Sequence, residues 1–164
     1  GLTADNIVRD AEFRCVRLPF EAGALSMTMD GGPACKMLLG DLAEPDIGSV
    51  RMFHVPNNWN HFLSDHIIHF RANPIGPGET ELVTTWLVHE EAVEGLDYDV
   101  DRLTAVWSAT NAEDCQLAEN NHLGTASVAY RPGPYSRTEF LVKDFVDWYL
   151  ETVRGARPTL AAAE

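Results

Sequence analysis

Residues 60–91, NHFLSDHIIHFRANPIGPGETELVTTWLVHEE, decide the fold of this chain. Two runs, NHFLSDHIIHFRA (60–72) and ETELVTTWLVHEE (79–91), flank Pro74-Ile75-Gly76-Pro77-Gly78. Proline presets φ and glycine tolerates the left-handed region, so that pentapeptide reads as the tight loop of an antiparallel hairpin. In the second run Leu82, Thr84, Trp86 and Val88 fall on one face and Val83, Thr85, Leu87 and His89 on the other. Both faces are apolar or β-branched, which predicts a strand covered on both sides and a hairpin at the centre of its sheet.

Upstream, after an irregular start, ALSMTMDG (24–31) and CKMLLGDL (35–42) read as short strands around the turn Asp30-Gly31-Gly32-Pro33, and SVRMFHV (49–55) as a third, ended by Pro56-Asn57-Asn58. Downstream the periodicity changes. Asp99 can cap a helix in which Val100, Leu103, Val106 and Trp107 recur at helical spacing. Thr110-Asn111 offers a second cap or a bend, and AEDCQLAENNHL then runs helically to Gly124, a natural residue just past a helix end. Residues 132–136 are loop. EFLVKDFVDWYLETVR (139–154) is a helix with Leu141, Phe145, Trp148 and Tyr149 near one face, and 155–164 forms a tail with little to bury. A sheet followed by helices is the α+β layout.

The bulk numbers narrow the function. At 164 residues and 45% apolar content the chain fits one domain. No apolar run is long enough to cross a bilayer, and GLTADNIVRD lacks the layout of a signal peptide, so the expectation is a soluble, cytoplasmic protein. A net charge of −13 opposes nucleic acid and anionic membranes and favours the approach of a cation. Cys15, Cys35 and Cys115 are far apart, which fits free thiols in a reducing compartment. None is closely followed by His, so a Rieske cluster within these residues is excluded.

The stretch TAVWSATNAEDCQLAENNHLG (104–124), taken with WNHFLSDH, FRANPIGP, TTWLVHEEAVEGLDYDVDRL, PGPYS and DFVDWY, resembles the C-terminal end of a Rieske-type non-heme iron oxygenase large (alpha) subunit. The resemblance runs from about Leu18 to Tyr149 and is strongest to the branch that demethylates glycine betaine and related quaternary amines. It implies a helix-grip catalytic domain, incomplete on its N-terminal side and spanning residues 1–154, whose long helix crosses the sheet and carries an iron carboxylate. In that family the ligand is the Asp of an "ED" or "QD" pair ten residues before the glycine at the helix end; here that is Asp114, with Gly124 ten positions on. Fe(II) in such enzymes is held by two His and one carboxylate. The resemblance places the His pair and the Rieske [2Fe-2S] domain ahead of Gly1, and it implies a reductase partner and a homotrimer. The chain alone is then expected to be inactive and to bind iron weakly.

Taken on spacing, Asn111-x-x-Asp114 also matches an N-cap with its N3 acid. His61 and His66 are spaced like ligands, but an odd separation on one strand sends them to opposite faces, so they are expected to be sheet histidines. His54, His69, His89 and His122 have no ligand spacing. A trimethylammonium group would need aromatic walls, for which Trp59 and Trp86 are the candidates. Two other readings stay open: an aromatic-ring-hydroxylating dioxygenase fragment using the same Asp114, and a non-enzymatic helix-grip ligand-binding domain without a metal.

Overall fold

In the computed structural model, which describes residues 7–10 and 12–155, six strands form one antiparallel sheet in the order β1-β2-β3-β4-β5-β6. The strands are β1 (Val8–Arg9), β2 (Phe13–Leu18), β3 (Ser49–His54), β4 (Asn58–Phe62), β5 (Ile67–Gly76) and β6 (Glu79–Leu87); helices α1 (Val100–Thr125) and α2 (Phe140–Gly155) follow. The α+β layout, β3, the hairpin between β5 and β6 and both helices agree with the sequence reading. The hairpin's turn is only Pro77-Gly78, because Pro74, Ile75 and Gly76 of the expected loop extend β5, with Pro74 and Gly76 paired to β6. The rest of the expected tail, 156–164, lies outside the described residues.

The run 60–72 is two strands, not one. Leu63-Ser64-Asp65-His66 turns the chain, closed by Leu63 N donating to His66 O at 3.0 Å, so β4 and β5 pair with each other as well. Ser and Asp favour turns because their side chains bond nearby backbone. The β5–β6 hairpin consequently lies at one end of the sheet instead of its centre. β6 stops at Leu87, and only one of its faces is well covered: Leu82, Thr84 and Trp86 are half-buried, whereas Thr85 and Leu87 are exposed.

The start is less irregular than expected, since it supplies β1 and β2. Residues 24–31 and 35–42 are turns and bends, with Cys35 in an isolated bridge to Tyr98. Their backbone groups bond locally, to side chains or to single distant backbone partners instead of a ladder. Leu25 N and Ser26 N both donate to Gly31 O, Leu39 N donates to Ser64 O, and Ala34 N and Cys35 N donate to Asp65 Oδ2.

Helix α1 is continuous through Thr110-Asn111. Asp99 caps it by accepting from Arg102 N at 2.9 Å, as its place before the periodic residues implied. Gly124 lies inside the helix without a left-handed φ, and Ala126 is the C-cap, so glycine does not end this helix.

Cross-strand partners share a face of a sheet. The rows Arg51–His61–Ile68–Trp86 and Phe53–Trp59–Phe70–Thr84 therefore look out from one side. Both helices lie on it. Trp107 of α1 packs edge-on against His61 and Phe70, with ring centres 4.9 and 4.7 Å apart. Phe145 of α2 meets Phe53 at 6.3 Å, and Asp144 pairs with Arg9 and Arg14. The buried core of Leu63, Ile68 and Phe70 forms between α1 and the sheet, flanked by Phe20, Met27, Trp59, Leu82, Trp86 and Trp107. None of the described helices is long and apolar enough to cross a membrane.

Candidate functional site

Side chains three and four apart on a helix lie on one face. Leu103, Trp107, Asn111 and Asp114 follow that spacing and form a single stripe on α1. Leu103 is buried, Trp107 lies on the aromatic core, and Asn111 Nδ2 donates to Thr84 Oγ1 of β6 at 2.9 Å. Asp114 continues the stripe where α1 runs past the end strand. Its carboxylate is exposed, with no hydrogen bond or ion pair among the described residues.

That placement settles one alternative. Asp114 is fourteen positions beyond the helix start at Val100, so it is neither a cap partner nor a first-turn acid, and Asn111 is spent on Thr84. The capping explanation of the Asn111-x-x-Asp114 spacing fails because the helix does not restart there. The stripe supplies one carboxylate. Among the described residues no group of three His, Cys, Asp or Glu side chains is placed to hold a metal ion. Asp114 thus fits a metal as one donor of a set that these residues do not complete. Cys15, Cys35 and Cys115 are free thiols.

Trp59 and Trp86 both face the helices. Trp59 stacks on Phe70 with ring centres 5.0 Å apart and a 9° tilt, and it lines a cavity of about 300 Å³ between the sheet and α2. Trp86 packs on the core with its indole N–H buried and unpaired, as is that of Trp107. The cavity does not extend to Asp114. Trp107, the α1 residue beside the cavity's His61, is seven residues short of Asp114, or about 10 Å along a helix.

Two features escaped the sequence reading. His61 is buried among Phe70, Trp107 and Arg51, with Nδ1 unpaired. Burial, then the charges of Arg51 and His66, lower its pKa to about 4, so it is neutral near pH 7. His66 is not on a strand at all. It sits in the β4–β5 turn, fully buried, with Nδ1 2.9 Å from Asp65 Oδ1.

Asp65, equally buried, is the hub of that turn. It accepts from Ser26 Oγ at 2.7 Å, Ala34 N at 2.6 Å and Cys35 N at 3.2 Å. Burial raises its pKa, but the hydrogen bonds from His66, Ser26 and Ala34 outweigh that and hold it below the ordinary value. With Asp65 ionised, His66 Nδ1 is the donor, and Nε2 is buried without a partner among the described residues. Ser26, Asp65 and His66 are not a nucleophilic triad, because serine and aspartate crowd the same imidazole nitrogen instead of flanking the ring. They pin the strandless segment 24–35 to the sheet. Arg102 adds to the same clamp, donating to both oxygens of Asp30 at 2.7 and 3.1 Å and to Pro33 O.

Residues 7–155 match the family of ring hydroxylating alpha subunit catalytic domains, and the chain belongs to that family. The relatives it resembles narrow the class. It is 55% identical over 141 residues to the glycine betaine monooxygenase oxygenase subunit of Chromohalobacter salexigens, covering 85% of this chain and 32% of the relative. The protein of the same name in Pseudomonas aeruginosa PAO1 is 54% identical over 139 residues, covering 84% of this chain and 32% of the relative. The chain therefore spans about a third of the length of the curated relatives it matches.

Proposed function

We propose that residues 1–154 are the C-terminal part of the catalytic domain of a Rieske-type non-heme iron oxygenase that N-demethylates glycine betaine or a closely related quaternary amine. The observation that carries this is the place of Asp114 at the exposed end of the α1 stripe whose earlier members face the sheet, one turn beyond Asn111, in a chain that is 55% identical to a glycine betaine monooxygenase subunit. Asp114 would be the carboxylate ligand of Fe(II), with the remaining donors and the [2Fe-2S] cluster supplied outside these residues. The metal, when bound, supplies oxygen activation.

This chain's own residues shape and shield the site. Trp107 and Asn111 hold α1 against β4–β6 and so fix the direction in which Asp114 projects. Trp59 and Trp107, packed over the buried Phe70, present aromatic surface, which attracts a quaternary ammonium that has no hydrogen to donate. Trp86 extends that surface on β6. The acidic net charge favours a cationic substrate over the neutral arene of a dioxygenase. The whole enzyme takes electrons from a reductase and works in the cytoplasm as a homotrimer.

The test is turnover by the complete oxygenase with its reductase. Glycine betaine should be consumed with release of one formaldehyde per methyl group removed. Oxidation of an arene with no formaldehyde from any methylammonium substrate would replace this reading with the dioxygenase one.

A further inference from the structure

The cavity between the sheet and α2 has a charge inventory at odds with the molecule around it. In a chain of net charge −13, no carboxylate among the described residues lines it, while Arg14 and Arg51 both do. Arg14 is neutralised by Asp144 at 3.2 Å. Arg51 has no acidic partner among the described residues, and its cross-strand neighbour His61 is uncharged near pH 7. His61 is itself buried with Nδ1 unpaired, a second polar group left without a partner on the same wall. The remaining walls are mostly apolar, from Val16, Phe53, Trp59 and Leu141, and Asn60, which also lines the cavity, has its side-chain oxygen bonded to His69. An exposed guanidinium, a neutral buried imidazole and largely apolar sides enclosing about 300 Å³ make a half-open cleft for a small molecule with one anionic end.

We propose that this cavity is a carboxylate-recognition site, in which Arg51 holds the carboxylate of a small organic acid or zwitterion and the wall of Val16, Phe53 and Trp59 covers its apolar or methylated end. The planar guanidinium offers paired N–H donors that match a carboxylate, and such charge-assisted bonds are the strong ones. His61 Nδ1 is available for one further hydrogen bond. The site is separate from Asp114, so it selects or stages a carboxylated ligand without itself touching the metal donor. It rests on the proposed substrate only in that glycine betaine is one member of the class it takes.

Calorimetric titration of the purified protein, carrying its whole encoded chain, with three probes tests this. Glycine betaine has the carboxylate and the methylated cation, 3,3-dimethylbutyrate has the carboxylate with an uncharged body of the same shape, and choline has the cation alone. Both carboxylates should bind and choline should bind at least tenfold more weakly. Arg51→Gln should weaken both carboxylates by about ten- to a hundredfold, and Arg51→Lys by less, with melting temperature checking the fold of each. Choline binding as tightly as glycine betaine, no binding of 3,3-dimethylbutyrate, or a folded Arg51→Gln with unchanged affinities would each overturn the proposal. Should Arg51→Gln not fold, Arg51→Lys decides, and affinities for both carboxylates unchanged in that folded variant would overturn the proposal. Failure of the demethylase reading leaves this result untouched, because it is read from formaldehyde release and not from dimethylbutyrate affinity.

Discussion

Asn111 donates its side-chain amide to the hydroxyl of Thr84 at 2.9 Å, tying the middle of α1 to the end strand β6 one helical turn before Asp114. A half-buried amide in mid-helix gains nothing from its helix propensity and is justified by this tertiary bond. Asn111→Ala should cost about 0.5–1.5 kcal/mol in urea unfolding, and a double-mutant cycle with Thr84→Val should recover a coupling of similar size. Additive effects of the two substitutions would show that the bond does not register the helix.

His61 makes stability depend on pH in a definite direction. Its folded pKa, lowered to about 4, lies below the ordinary value near 6.5, so between those values the unfolded chain binds a proton that the native state does not. Stability from this group is therefore full above about pH 6.5 and is lost as pH falls toward 4, by up to about 3 kcal/mol. Urea midpoints measured across that range should fall in the native protein. His61→Gln should flatten the slope, and an unchanged slope would place the titration elsewhere.

Asp65 is the costliest polar residue to remove. Asp65→Ala leaves the Ser26 hydroxyl, two backbone N–H groups and His66 Nδ1 without their acceptor in a fully buried turn. A loss of about 3–5 kcal/mol is expected, with segment 24–35 exchanging its amide hydrogens faster than the β5–β6 hairpin. Because the folded pKa of Asp65 is depressed, its contribution is present above about pH 4 and lost as pH falls through the folded value. A small destabilisation spread evenly over the chain would contradict this assignment.

The same turn marks where sequence reasoning stopped. The turn at Pro77-Gly78, the Asp99 cap of α1 and the helical spacing of α1 and α2 are written in local patterns, and the structure follows them. The break inside 60–72 was signalled by Ser64-Asp65, but the apolar residues on both sides mask it. The runs 24–31 and 35–42 look like short strands around a turn, yet Asp65, about thirty positions away, takes the amides of Ala34 and Cys35 where the turn meets the second run; no local pattern reports such a partner. Arg51 drew no attention for a related reason. Its meaning depends on a cavity assembled from β2, β3, β4 and α2. Asp114 was visible through the family resemblance, and spacing alone pointed to a cap that the continuous helix rules out.

The central claim is that Asp114 is the carboxylate donor to the mononuclear iron, and iron per subunit in the full-length oxygenase tests it most directly. Asp114 is exposed and mid-helix, so Asp114→Ala should change stability by no more than about 0.5 kcal/mol. The account predicts that the variant keeps the visible absorption of its [2Fe-2S] cluster and its melting temperature, loses the mononuclear iron, and releases no formaldehyde from glycine betaine. A variant that retains its full mononuclear iron and turns over normally would contradict it.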